Sequence, residues 1–356
     1  MILTDIYKLP IFFILGRHRS GTTLLRTLLD AHPNIKIPLE TPFIFTLYPK
    51  YKNIKNWDRS QLEELHKDLS TYINFDYLQI NKNKLLPEIL AGEGENSFQN
   101  FVKIIYSNYT SIYKKEEITL LGDKNPLYAI YPDKLFKIFP DSKYIFLTRD
   151  YRDHIISIKK IDFEAHRTAL LAYKWRLAVK KNMQLSKRYP KQFFHLRYED
   201  LVSDPELNVK KICDFLGLQY SAEVLNFYQK KDKMIELYTE EDIDKYHSSL
   251  YKPIKSDKTG IWETQLTKNQ IKMADTVVGK YADIMGYQRR YSKTNFFMML
   301  LTLPFVTFGY LSYKVSEIIY ILPFPVKKHI IKLAPILPKL RRLFKWYQTV
   351  PNKNIK

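Results

Sequence analysis

The chain has 356 residues and a single cysteine, Cys213, so it can form no internal disulfide. Cys213 falls in Val209–Leu216, a helical apolar pattern stopped at Gly217, where an inert buried thiol is expected. His, Cys and Asp do not cluster with metal-ligand spacing, and the eight histidines are scattered. A metal site is therefore not expected. Neither a nucleophile elbow nor a Ser–His–Asp signature occurs. The apolar run Ile11–Leu15 is too short for a secretory signal core. A cytoplasmic location is expected, with peripheral attachment to the cytoplasmic membrane face left open. Acidic residues are missing from Ile318–Lys356, which carries nine Lys or Arg of the net +20. No nucleic-acid-binding motif accompanies that charge, so nucleic acid is not an expected partner.

What the chain does have is Ile11–Leu29, IFFILGRHRSGTTLLRTLL. A strand-length apolar run feeds a polar loop, Gly16–Gly21, and a helical pattern opens at Thr22 with Leu24, Leu25, Leu28 and Leu29 on one face. Backbone N–H groups at such a helix start, helped by the helix dipole, suit an anion. The spacing resembles a P-loop, but Thr22 stands where a P-loop carries its lysine. An NTPase or small-molecule kinase is thereby the second reading. A membrane-associated nucleotide-binding protein without turnover is the third.

Further strand patterns are Asn34–Pro38, Ile118–Leu121, Lys143–Thr148 and Gln192–Leu196. Helical patterns alternate with them, which predicts a central, mainly parallel sheet covered by helices on both faces. The expected class is a P-loop-like three-layer α/β fold. Residues 1–290 form its domain, with a mostly helical insertion over 43–117 and an apolar, basic extension over 291–356. Arg19, Glu40, Lys124, Arg149 and Tyr198 each follow the carboxyl end of a predicted strand, the edge where open α/β sheets bind ligands.

Arg19-Ser20-Gly21-Thr22-Thr23-Leu24-Leu25 resembles the 5′-phosphosulfate loop of sulfotransferases that use 3′-phosphoadenosine 5′-phosphosulfate (PAPS). The continuation Asp30-Ala31-His32-Pro33, ending in Glu40-Thr41, is similar to the branch that contains the tyrosylprotein sulfotransferases. The resemblance implies that Arg19, Ser20, Gly21, Thr22 and Thr23 bind the 5′-phosphosulfate and that Arg149 and Ser157 hold the 3′-phosphate. It places a general base at Glu40 and a charge-stabilising lysine at Lys124. His32 is the rival base, ranked second. The resemblance also puts Tyr198 near the nucleotide and a closing loop at Lys258-Thr259-Gly260-Ile261-Trp262, with Lys255 or Lys258 on the 3′-phosphate. PAPS is the implied donor, without a metal, and the acceptor is a hydroxyl, with an amine second. His18 and Pro42 depart from the branch pattern, and neither a membrane anchor before the domain nor a secretion signal is expected, so a protein tyrosine is not the expected acceptor; a small molecule is, or a lipid or glycan where the C-terminal extension meets a membrane.

Asn295–Tyr313 holds no charged residue and is long enough to raise a membrane span. Pro304 and Gly309 interrupt it and basic residues flank both ends, so a surface or re-entrant segment running into the amphipathic stretch 327–346 is the expectation. A helical appendage packed on protein is the alternative.

Overall fold

The computed structural model describes residues 3–41, 43–70, 75, 78–161, 166–230, 250, 252–293, 295–322 and 326. Pro42 and the stretch 327–346 lie outside them. After helix α1 (Leu3–Lys8) the chain forms β1 (Ile11–Leu15), α2 (Thr22–Asp30) and β2 (Ile35–Lys36). Helices α3 (Phe43–Tyr51), α4 (Arg59–Ser70), α5 (Lys82–Leu90) and α6 (Phe98–Ser107) follow, with a short antiparallel pair, β3 (Asn56–Trp57) and β4 (Gly94–Glu95). Next come β5 (Leu120–Lys124), α7 (Pro132–Ile138), β6 (Lys143–Thr148), α8 (Tyr151–Lys159), α9 (Thr168–Arg188) and β7 (Phe193–Arg197). The described chain continues through α10 (Tyr198–Ser203), α11 (Pro205–Leu216), α12 (Trp262–Gln265), α13 (Lys268–Val278), α14 (Lys280–Ile284) and α15 (Phe296–Ile321).

The main sheet has the order β2-β5-β1-β6-β7, and every pairing in it is parallel. β1 is central, so both its faces are covered and it reads as an unbroken apolar run. Side chains alternate across a strand. Ile11, Phe13 and Leu15 join one apolar cluster, with α3–α6, α9 and α13, while Phe12 and Ile14 join the other, with α2 and α11. Burying each of these side chains stabilises the fold by about 1.5–3 kcal/mol. Residues 43–117 pack into the first cluster through Phe43, Leu47, Trp57, Leu65 and Phe101.

The third strand corrects a boundary. Ile118–Leu121 is its sequence expectation, yet β5 runs Leu120–Lys124 and takes in Gly122, Asp123 and Lys124. Gly122 belongs there because a Cβ would meet the Phe12 ring at 2.6 Å. Asp123 is fully buried and accepts a hydrogen bond from the Tyr128 hydroxyl. Polar residues thus hide the end of a buried strand, and Lys124 closes the strand rather than standing in a loop.

Pro304 and Gly309 bring a second correction. Helix α15 runs through both without a break.

Candidate active site

The loop after β1 is held in an unusual shape. Arg19 and Gly21 both have left-handed backbones, with φ of 66° and 90°. For a non-glycine residue that costs on the order of 1–3 kcal/mol, and such strain gathers at functional sites. At Gly21 a Cβ would lie 2.4 Å from Tyr198 Cδ2, so only glycine lets the loop close on that ring. Two side chains, one from the β6–α8 connection and one from α8 itself, grip the loop's carbonyls. Arg149 Nη1 donates to Arg19 O (3.2 Å), and His154 Nε2 pairs with His18 O (2.8 Å). Gly21 is the N-cap of α2 and brings no side-chain cap to the first turn, which leaves that end suited to an anion.

Around this loop the structure gathers the residues read from sequence as phosphate ligands. Arg19 Nε donates to Ser157 Oγ (3.1 Å), although the two stood on different phosphates in the sequence reading. The Arg149 guanidinium lies 4.8 Å from the centroid of the Tyr198 ring, and its Nη2 donates to Lys258 O (2.6 Å). Burial lowers the Lys258 pKa, and the charges of Arg19, Arg149 and Lys160 add to the effect, against Asp257. The Lys258 charge is therefore coupled to this cluster. Crowding like charges is unfavourable unless an anion offsets them. Arg149 Nε is a buried donor with no protein acceptor among the described residues. A phosphate oxygen matches that donor, so the cluster fits a phosphate group.

Asp150, next to Arg149 in sequence, makes a two-pronged pair with Arg152, through bonds of 2.9 and 2.6 Å. Asp153, fully buried, accepts from the backbone N–H groups of Gly260 (2.7 Å) and Trp262 (2.8 Å). Asp153 is thus an anchor for the 258–262 loop that sequence reasoning missed. A buried carboxylate in the first turn of α8 was its only sequence signal.

A second cluster lies on the other side of the first turn of α2. Lys124, almost wholly buried, pairs with the Glu40 carboxylate, which is 37% exposed, and donates to Thr23 Oγ1 at 3.3 Å. Thr23 joins the anion loop to this pair. His32 does not reach it. Its Nε2 pairs with Gln219 O (2.8 Å), its Nδ1 accepts from Asn34 N (3.2 Å), and burial lowers its pKa, so it serves packing rather than proton transfer.

Glu40 is held from behind by a network that sequence reasoning also missed. Three residues before it, Ile37 is clamped at both backbone groups. Its N–H donates to Asp30 Oδ1 (3.0 Å), and its carbonyl accepts from Arg26 Nη2. Asp30, fully buried, also accepts from the hydroxyls of Tyr109 (3.0 Å) and Ser111 (2.9 Å). An Arg and an Asp four apart on a helix with no other charged residue were the available signal.

Comparison with known proteins points to one family. A family model described as "Sulfotransferase family" matches residues 10–222. A putative protein-tyrosine sulfotransferase of Caenorhabditis briggsae is 23% identical over 293 residues, covering 81% of this chain and 92% of that protein. Protein-tyrosine sulfotransferase A of Caenorhabditis elegans is 25% identical over 75% of this chain and 65% of its own length. For the Drosophila melanogaster protein-tyrosine sulfotransferase the figures are 24%, 79% and 52%, so the chain spans about half of that relative. Among solved structures, the sulfotransferase domain of the Synechococcus PCC 7002 olefin synthase aligns with a TM-score of 0.52 at 23% identity. That alignment covers 75% of this chain and 94% of that one, and it speaks to the fold alone.

Proposed function

The chain belongs to the sulfotransferase family, and on that premise we propose that it moves a sulfuryl group from PAPS to a hydroxyl acceptor. The observation that carries the reading is the Arg19–Arg149–Lys258 cluster beside the strained loop and Ser157. The donor brings an activated sulfuryl group on its 5′-phosphate. Ser20, Gly21, Thr22 and Thr23 hold the 5′ side through the helix start. Arg149, Ser157 and Lys258 hold the 3′-phosphate, and Tyr198 packs against the site. Arg19 stands between the two.

Glu40 takes the proton from the acceptor hydroxyl as that oxygen bonds to sulfur. The bond from sulfur to the bridging oxygen breaks, its electron pair staying on that oxygen. Lys124 offsets the charge that collects there. The products are the sulfated acceptor and adenosine 3′,5′-bisphosphate. The acceptor we propose is a tyrosine hydroxyl in a protein, in place of the small-molecule, lipid or glycan of the sequence reading. Support comes from the names of the relatives, all protein-tyrosine sulfotransferases. A phenol also loses its proton more readily than an aliphatic alcohol, which suits a carboxylate base.

Calorimetric titration with adenosine 3′,5′-bisphosphate, 5′-AMP and ATP–Mg²⁺ tests the donor half. The bisphosphate is expected to bind far more tightly than either competitor and to weaken about 10–100-fold in Arg149→Ala. A preference for ATP–Mg²⁺ returns the kinase reading to first place.

A further inference from the structure

Helix α15 is built inside out for a helix in water. The stripe it turns to the domain is small or polar at several positions: Thr302 and Gly309 are buried, and Ser316 is half-buried. At Gly309 a Cβ would sit 2.4 Å from Tyr173 Cδ1, so the two helices touch backbone to ring. Tyr313 stacks on Tyr131 with ring centroids 5.7 Å apart, and Lys134 Nζ lies 3.7 Å from the centroid of Tyr320. The opposite face carries the large apolar side chains. Phe296 is 72% exposed and Phe297 69%, with Leu300, Leu303, Phe308 and Leu311 all more than half exposed. A helix meant for water places these groups the other way round.

We infer that this face lies in the headgroup–acyl boundary of an anionic bilayer, with α15 parallel to the membrane plane. By length the helix can cross a bilayer. Its 26 residues extend about 39 Å, against a hydrocarbon core of about 30 Å. It is, however, packed along the domain from Met298 to Tyr320, against α9, α13 and α3. An upright helix would pull those elements into hydrocarbon, whereas a helix lying flat leaves them outside. Charge favours lipid over a second copy of the chain. Arg290 and Lys293 are exposed just before the helix, Lys314 is half-exposed on it, and 327–356 carries nine Lys or Arg without an acidic residue. Those groups attract anionic headgroups but would repel their own images across a twofold interface.

The test is co-sedimentation of the full chain with vesicles. One set is phosphatidylcholine alone, and the other contains about a third phosphatidylglycerol. Binding is expected to the anionic set and to fall about tenfold or more in the variant combining Leu300→Glu, Phe308→Ser and Leu311→Glu. Affinity for adenosine 3′,5′-bisphosphate should stay unchanged, which shows that the variant is folded. Equal vesicle binding by parent and variant, or none by the parent, overturns the inference. A vesicle-free dimer that the variant splits assigns the face to a second copy and overturns it as well. Orientation is read from Phe297→Cys, Phe308→Cys and Val315→Cys, each carrying a depth-sensitive fluorophore. Burial pushes the Cys213 thiol up to about 11, which keeps it out of the labelling. Three similar shallow depths support the flat helix, and a deepest value at position 308 means a span.

Discussion

At the scale of single residues, Glu40 and Asp123 lie near Lys124 and behave in opposite ways. Glu40 is partly exposed and paired with the lysine, and in the proposed mechanism it is the group that exchanges a proton with the incoming hydroxyl. Glu40→Gln is expected to slow turnover by about 10²–10⁴-fold. Bisphosphate affinity should move less than about twofold, because the lost carboxylate lies outside the phosphate cluster. A rate near the parent's removes Glu40 as the base. Asp123 is sealed in, and burial holds its carboxyl up at about 6 against the hydrogen bond from Tyr128. A carboxyl raised on folding stabilises the fold most below its unfolded pKa and loses that contribution as pH climbs through the folded value. The loss falls between about pH 4 and pH 6 and amounts to about 3 kcal/mol at most. His195, pushed down to about 4 by burial and by Arg197, has the opposite slope over much of that range. Stability of Asp123→Asn relative to the parent should therefore grow from pH 4 to pH 6, as read by denaturant unfolding at each pH. A constant difference refutes the assignment.

At the scale of elements, legibility followed side-chain chemistry. β1 and β6 were read at their true bounds because both are interior strands, β1 apolar throughout and β6 apolar between Lys143 and Thr148. β5 was misplaced because Gly122-Asp123-Lys124 looks like a turn until Phe12 and Tyr128 are packed on it. The uninterrupted course of α15 was illegible for another reason. Gly309 is a contact residue there, a fact visible only once Tyr173 stands against it. The anion loop was legible because its glycines and hydroxyls must be adjacent in sequence. The Arg26–Asp30 clamp was not, since its partners Tyr109 and Ser111 come from about 80 residues away. Asp30→Ala removes the buried carboxylate that pairs with Arg26 (3.3 Å) and with Lys115 (3.6 Å), at a cost of about 3–5 kcal/mol. Beyond stability, turnover should fall with little change in bisphosphate affinity, and Asp30→Asn should recover part of it by accepting from Ile37 N. Donor affinity falling in step with turnover would make the clamp merely structural.

At the scale of the whole molecule, the gathering of Arg19, Arg149, Ser157, Tyr198 and Lys258 was legible in the sequence and the arrangement of residues 43–117 hardly at all. Five parallel strands deliver the donor-side residues to one edge, a result set by topology that local patterns reveal. Residues 43–117 owe their arrangement to packing among helices and to aromatic contacts such as Trp57 on Phe101, which no short motif announces. The pairing of Lys124 with Glu40 has a consequence for the timing of the catalytic cycle. Before the donor arrives, the lysine's positive charge is spent on the carboxylate proposed as the base. An acceptor that enters first meets a base already engaged, whereas a bound sulfuryl group draws the lysine toward itself and frees the carboxylate. Under the proposed roles the enzyme is a turnstile that admits its substrates in one productive order. Excess acceptor should slow the initial rate, and raising PAPS should relieve that inhibition. Steady-state patterns indifferent to the order of addition would show that the pair sets no sequence at all.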